Sequence, residues 1–94
     1  SMTSQTDNSH LEEQLKSIIT SNLNQRLSSY EELDKIPADQ KALILLSICQ
    51  SSERSEELRS FSLDRLSTLL TEIIQTWSSN ELVPFNEELI KVCL

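Results

Sequence analysis

The sequence predicts an all-α fold, a compact antiparallel bundle of four to five helices. Glycine is absent and proline occurs only twice, at Pro37 and Pro84, whereas the hairpin turns of sheet proteins depend on glycine for positive φ angles. Apolar residues recur at the helical spacing of three and four. Serine or asparagine repeatedly precedes a pair of acidic residues, a pattern typical of helix starts.

The first helix is predicted from about residue 10 to residue 28. Ser9 and Glu12 form a capping-box pattern. In such a box the serine side chain accepts from the glutamate N–H, and the glutamate side chain accepts from the serine N–H. Ser29 and Glu32 repeat the pattern and predict a short helix or a kinked continuation. The apolar series that follows Ser9 at helical spacing is Leu11, Leu15, Ile18, Ile19, Leu23 and Leu27.

A central helix is predicted from Pro37 to Gln50. Proline suits the first position of a helix because its missing N–H has no partner there. The apolar residues of this segment point in nearly every direction, which is typical of a helix surrounded by others. They are Ala42, Leu43, Ile44, Leu45, Leu46, Ile48 and Cys49.

Beyond residue 51 the pattern predicts two further helices separated by short breaks. If one straight helix ran through to Trp77, at about 100° per residue Leu58 and Phe61 would lie outside its apolar face. We therefore expect a break near residues 60–62 and an amphipathic helix over residues 63–78. The apolar face of that helix consists of Leu63, Leu66, Leu69, Leu70, Ile73, Ile74 and Trp77.

The final helix is predicted over residues 87–92. Residues 78–80 are expected to end the preceding helix, and Pro84 is expected to close a short loop. Asn86 is the predicted cap, and Phe85 and Ile90 the predicted hydrophobic staple that fixes the entry of the chain.

The expected organisation is one helical domain over residues 9–94. Residues 1–8 are interpreted as a tag remnant, Ser1-Met2, and a disordered lead-in. The apolar C-terminal residues suggest a fragment of a larger protein. An alternative architecture is two stacked helix pairs of an armadillo- or HEAT-like solenoid. No repeat of about 40 residues is visible, which favours the bundle.

The acidic composition excludes several classes of partner. Fifteen acidic residues against eight basic ones give a net charge of −7, which repels nucleic-acid phosphates and anionic lipid. We therefore expect neither nucleic acid nor membrane as a partner. Two cysteines, Cys49 and Cys93, do not make a disulfide framework, so a reducing compartment, cytoplasm or nucleus, is expected.

No residue pattern predicts an enzyme, a metal site, a cofactor or a small-molecule substrate. The single histidine, His10, stands at a predicted helix start, and no Cys-x-x-Cys pair occurs. Adjacent acidic residues on a helix point about 100° apart, so the acidic pairs do not converge on one site. Those pairs are Glu12-Glu13, Glu31-Glu32, Glu56-Glu57 and Glu87-Glu88.

The leading hypothesis is a non-enzymatic protein–protein interaction module. It would dock a helix, a short peptide or a second copy of itself through an apolar groove. The alternative is a structural helical subdomain that packs against the rest of a larger parent protein. Trp77 is expected to pack with Phe85 or Val83 around a shallow groove. The candidate partner-binding residues are Leu23, Leu27, Tyr30, Trp77, Phe85, Ile90 and Leu94.

Overall fold

The computed structural model describes the backbone of residues 2–94 and the side chains of residues 9–94. These residues form five helices and no strand, which confirms the prediction of an all-α fold with four to five helices. The expectation for residues 1–8 falls outside the described side chains and stays a prediction. The helices are α1 (Met2–Thr20), α2 (Leu23–Asp34), α3 (Ala38–Gln50), α4 (Glu56–Thr76) and α5 (Ser79–Cys93).

The chain divides into two compact units. The N-terminal unit, Ser1–Pro37, contains α1 and α2. The C-terminal unit, Ala38–Leu94, contains α3, α4 and α5.

The break between α1 and α2 lies at Ser21 and Asn22, so the predicted uninterrupted helix over residues 10–28 is wrong. Asn22 is extended, with ψ at 175°, and its side chain accepts a hydrogen bond from the Gln25 N–H at 3.1 Å. Asparagine is among the strongest N-cap residues, because its short side chain competes with the helical backbone hydrogen bonds. This local competition outweighs the apolar spacing that runs across the break.

Helices α1 and α2 form an antiparallel pair. Near the turn, the Arg26 Nε donates to the Ser21 carbonyl at 2.9 Å. Farther from it, His10 Nε2 lies 3.5 Å from Glu32 Oε2. Ser9 and Ser29 lie inside helices, so neither caps a helix as predicted. Among the described side chains of this unit, the buried ones are Leu11, Leu15, Ile18, Ser29, Leu33 and Ile36.

Helix α3 is the central helix of the C-terminal unit, as predicted. It begins one residue after Pro37, ends at Gln50 and packs against both α4 and α5. A helix with two neighbours buries a wide arc of its surface, which accounts for its apolar character on several sides. Its buried residues are Ala42, Ile44, Leu45 and Ile48.

Helix α4 runs without interruption from Glu56 to Thr76, so the predicted break at residues 60–62 is wrong. Ser55 caps it, since its side chain accepts from the Leu58 N–H at 3.2 Å. Ser62 is completely buried, and its hydroxyl donates to the Leu58 carbonyl at 2.8 Å. A buried serine therefore continues the stripe that begins at Leu58. The stripe consists of Leu58, Ser62, Leu66, Leu69 and Ile73.

Helix α5 begins at Ser79, eight residues before its predicted start. The Glu81 carboxylate accepts hydrogen bonds from the Ser78 N–H at 3.0 Å and from the Ser78 hydroxyl at 3.1 Å. This arrangement fixes the first turn directly after α4 ends at Thr76.

Pro84 lies inside α5 rather than in a loop. Asn86 and Phe85 lie inside the same helix, so the predicted cap at Asn86 and the staple of Phe85 with Ile90 are both wrong. Proline removes one backbone donor, but the capping contacts of the first turn and the burial of Phe85 hold the segment helical.

Candidate functional site

An apolar groove lies between the C-terminal half of α4 and the N-terminal two thirds of α5. Its volume is about 510 Å³. We call it the α4–α5 groove. Leu70, Ile73 and Ile74 form its α4 wall, and residues of α5 form the opposite wall. The α5 residues are Leu82, Val83, Phe85, Asn86, Glu87 and Leu89.

The groove lies between two helices that both pack against a third, α3. Helix α3 packs closely against both α4 and α5, whereas α4 and α5 share no comparable contact along their described lengths. The chain joins the two walls at one end through Trp77, the residue that follows α4, which donates its backbone N–H to the Ile73 carbonyl at 2.9 Å. The turn between α4 and α5 thus bounds the groove at this end, which we call its closed end.

An aromatic pair supports the closed end of the groove. The rings of Trp77 and Phe85 have centroids 5.3 Å apart and are tilted by 58°, a favourable arrangement for two aromatic quadrupoles. Phe85 is 7% exposed and Trp77 is half-buried. The expected packing of Trp77 with Phe85 is thus present, and it places Phe85 among the residues that line the groove.

The upper walls of the groove remain largely in solvent. Ile74 is 68% exposed and Val83 is 60% exposed. Leucine, isoleucine and valine side chains gain about 25 cal/mol for each Å² of apolar surface removed from water. A ligand that covered the two walls would remove this apolar surface from water.

Two consecutive polar residues interrupt the apolar α5 wall. Asn86 and Glu87 are both exposed and both line the groove. The neighbouring Glu88 pairs with Lys91 at 3.1 Å. Glu87 has no ion-pair partner among the side chains that the structure describes. The groove thus combines an apolar lining with one uncompensated carboxylate.

The predicted partner-binding residues are divided between the two compact units. Of the C-terminal candidates, Phe85 lines the groove, while Trp77 supports its closed end. Ile90 is half exposed on α5, and Leu94 is fully exposed after it. The spacing of seven residues places Ile90 on the same side of α5 as Val83, and Leu94 follows the last residue of the helix.

The other three candidates belong to the N-terminal unit. Leu23, Leu27 and Tyr30 share one face of α2, since they are spaced by four and three residues. Leu23 and Leu27 are exposed, and Tyr30 is half-buried. They form a short apolar strip on a single helix.

A smaller cavity of about 260 Å³ lies near the turn between α3 and α4. There Arg59 Nε donates to the Cys49 carbonyl at 3.2 Å, and the Cys49 thiol donates to the Arg59 carbonyl at 3.7 Å. Burial raises the pKa of the Cys49 thiol, so this thiol is less ionised than an exposed one. These contacts tie α3 to α4 and indicate a structural role.

The described titratable groups of the N-terminal unit are exposed or half-buried. The pKa of Glu32 is lowered, first by its hydrogen bond with Lys35 at 3.0 Å and by the charge of that lysine, and then by His10. Among the described side chains, no three His, Cys, Asp or Glu residues are placed to hold one metal ion.

Most residues that line the groove are absent from the sequence-based candidates. Two signals in the sequence point to them. Ser78 and Glu81 form a capping-box pattern, which places a helix start ahead of Pro84 rather than after it. With that start, Leu82 and Leu89 fall on one helix face, seven residues apart.

Membrane-spanning helices are not found in the part of the chain that the structure describes, because none of its helices has the required length and apolarity. Comparison of the chain with protein-family models, with curated proteins and with solved structures finds no match.

Proposed function

We propose that this protein is a non-enzymatic interaction module that docks an amphipathic helix of a partner protein in the α4–α5 groove. The observation that carries the proposal is the groove itself, a volume of about 510 Å³ lined by seven apolar side chains from two helices. Laying the apolar face of a helix into such a groove is a recurring mode of protein recognition.

The openness of the walls supports a helix rather than a small molecule as ligand. Small-molecule sites bury about 70–90% or more of their ligand's surface. Here Ile74 and Val83 are themselves more than half exposed, so a small ligand between them would keep much of its surface in water. A helix of about 10 Å diameter would cover both rims at once.

The chemistry of the lining supports binding rather than catalysis. Its polar groups are the amide of Asn86 and the carboxylate of Glu87. General acid–base catalysis generally uses a group whose pKa lies near the working pH, held beside the reacting atom. The groove lining contains no histidine, cysteine or lysine that would serve as a second such group or as a nucleophile.

We also propose a reducing compartment, the cytoplasm or the nucleus, as the site of action. Support comes from Cys49 and Cys93, which are both free thiols. The net charge of −7 supports a protein partner over nucleic acid.

The proposal is tested by display selection of amphipathic helical peptides against the intact chain. We expect selected peptides to carry apolar residues at spacings of three and four, and to lose binding to Val83→Glu and Ile74→Glu. Both positions are exposed, so a glutamate there is tolerated by the fold but charges the groove walls. Circular dichroism verifies that each variant keeps its helices.

The matched control is Leu63→Glu. Leu63 is an exposed leucine of the same helix, 56% accessible, and does not line the groove. The selected peptides should bind this variant as they bind the intact chain. Recovery of no helical peptide, or equal loss of binding in Leu63→Glu and Val83→Glu, would overturn the proposal.

A further inference from the structure

We infer that the helix docked in the α4–α5 groove carries an arginine that meets Asn86 and Glu87. This inference rests on the function proposed above and specifies the chemistry of the partner. A cationic amphipathic helix is therefore the expected occupant, rather than a neutral one or a second copy of this acidic chain.

The position of Asn86 in the wall gives the first reason. Asn86 follows Leu82 by four residues and Val83 by three, and it precedes Leu89 by three, so these side chains surround it on one face of α5. An apolar side chain laid against Asn86 would remove its amide from water without a hydrogen-bond partner, which is unfavourable. The occupant must therefore present a polar group at this point.

The charge of Glu87 gives the second reason. Glu87 lines the groove and has no ion-pair partner among the described side chains, whereas the adjacent Glu88 is paired with Lys91. Helix α5 contains three glutamates and one lysine, and the chain as a whole carries −7. A partner with positive charge is attracted to this wall, while an identical copy is repelled by it.

Arginine is the side chain that satisfies both residues. Asn86 and Glu87 point about 100° apart on α5, yet both line the groove. The planar guanidinium of arginine has five donor hydrogens on a long side chain, enough to reach the Asn86 side-chain oxygen and the Glu87 carboxylate from within the groove. Lysine supplies the charge as a single point without that fork. The aliphatic stem of the arginine would lie along the apolar surface of the neighbouring Val83 and Leu82.

The experiment compares two synthetic helical peptides that differ at one residue. Each has the same apolar stripe, taken from a peptide selected against the groove, and carries either arginine or citrulline at the central position of that stripe. Citrulline keeps the size and shape of arginine but has no charge. Binding to the intact chain and to variants is measured by fluorescence anisotropy at about 50 mM and about 300 mM salt.

We expect the arginine peptide to bind the intact chain about fivefold more tightly than the citrulline peptide at low salt. Raising the salt concentration should reduce this ratio. Glu87→Gln should bring the two affinities within about twofold of each other. The matched control is Glu88→Gln, which removes the adjacent carboxylate outside the groove lining and should keep the difference.

The possible failures are distinguishable from one another. Equal affinity of the arginine and citrulline peptides for the intact chain would overturn this inference and leave helix docking supported. Binding of neither peptide, while the selected parent peptide still binds, would likewise overturn this inference and leave helix docking supported. A dimer of the intact chain in light scattering that Val83→Glu abolishes would also overturn the inference, because the occupant would then be a second copy.

Discussion

Ser62 shows how one small polar residue shapes the longest helix of the chain. It is completely buried, and its hydroxyl is satisfied by the Leu58 carbonyl one turn earlier, at 2.8 Å. Such a bond removes the penalty of burying a hydroxyl without a partner. The site therefore requires small volume, and polarity is tolerated because the backbone supplies an acceptor.

Enlarging the Ser62 side chain tests whether the site requires a small residue. We expect Ser62→Leu to lower the free energy of unfolding by about 1–3 kcal/mol, because a closely packed interior has no room for the added atoms. Ser62→Ala keeps the volume and should cost about 1 kcal/mol or less. Urea unfolding followed by circular dichroism measures both. The control is Ser60→Leu at an exposed position of the same helix, and equal effects at positions 60 and 62 would contradict the burial of Ser62.

The two cysteines differ in their surroundings and should differ in reactivity. Burial raises the pKa of the Cys49 thiol, whereas Cys93 is exposed. The thiolate is the reactive form, so a raised pKa leaves less of it at any pH below that value. Alkylation by iodoacetamide should be slower in Cys93→Ser, which retains Cys49, than in Cys49→Ser. Unfolding in urea should abolish the difference, and equal rates in the folded chains would refute it.

Helix boundaries in this chain are set by caps more than by apolar spacing. The apolar series of α1 runs on past Thr20, yet Asn22 ends the run by capping α2. The converse holds at α5, where Ser78 and Glu81 start a helix that Pro84 does not prevent. Sequence periodicity predicts that helices exist because burial follows it. Boundaries depend on local hydrogen bonds that periodicity does not report.

The continuity of α4 has a direct test in proline substitution. Ser60 is exposed and lies in the fifth position of the helix, where its N–H has a helical acceptor. Proline there removes that hydrogen bond and crowds the preceding turn, so Ser60→Pro should cost about 3 kcal/mol. Thermal unfolding of Ser60→Pro and Ser60→Ala measures the difference. A neutral Ser60→Pro would instead support a break at residues 60–62.

The early start of α5 is tested by two substitutions of opposite sign. Pro84→Ala restores a backbone donor within a helix and should stabilise the chain by about 1–3 kcal/mol. Glu81→Ala removes the acceptor of the Ser78 N–H and should destabilise it by about 0.5–1 kcal/mol. Chemical unfolding reports both effects. If the helix began only at residue 87, Pro84→Ala would not stabilise the chain and Glu81→Ala would not destabilise it.

At the scale of the whole molecule, the fold class follows from composition, whereas the groove does not. The lack of glycine, the helical spacing and the all-round apolar α3 predict helices packed on one another. The groove depends on tertiary packing, because α5 packs on α3 and leaves one side of α4 open. Ile74 and Val83 look like core residues in the sequence, and their exposure emerges only from that arrangement.

Amide chemical-shift mapping by NMR is the most direct test of the central claim that the α4–α5 groove docks a helix. The labelled chain is titrated with a peptide from the display selection. We predict shift changes concentrated at the two walls, residues 70–74 of α4 and residues 82–89 of α5. Changes concentrated instead on the α2 face at Leu23, Leu27 and Tyr30, with the groove unaffected, would contradict the claim.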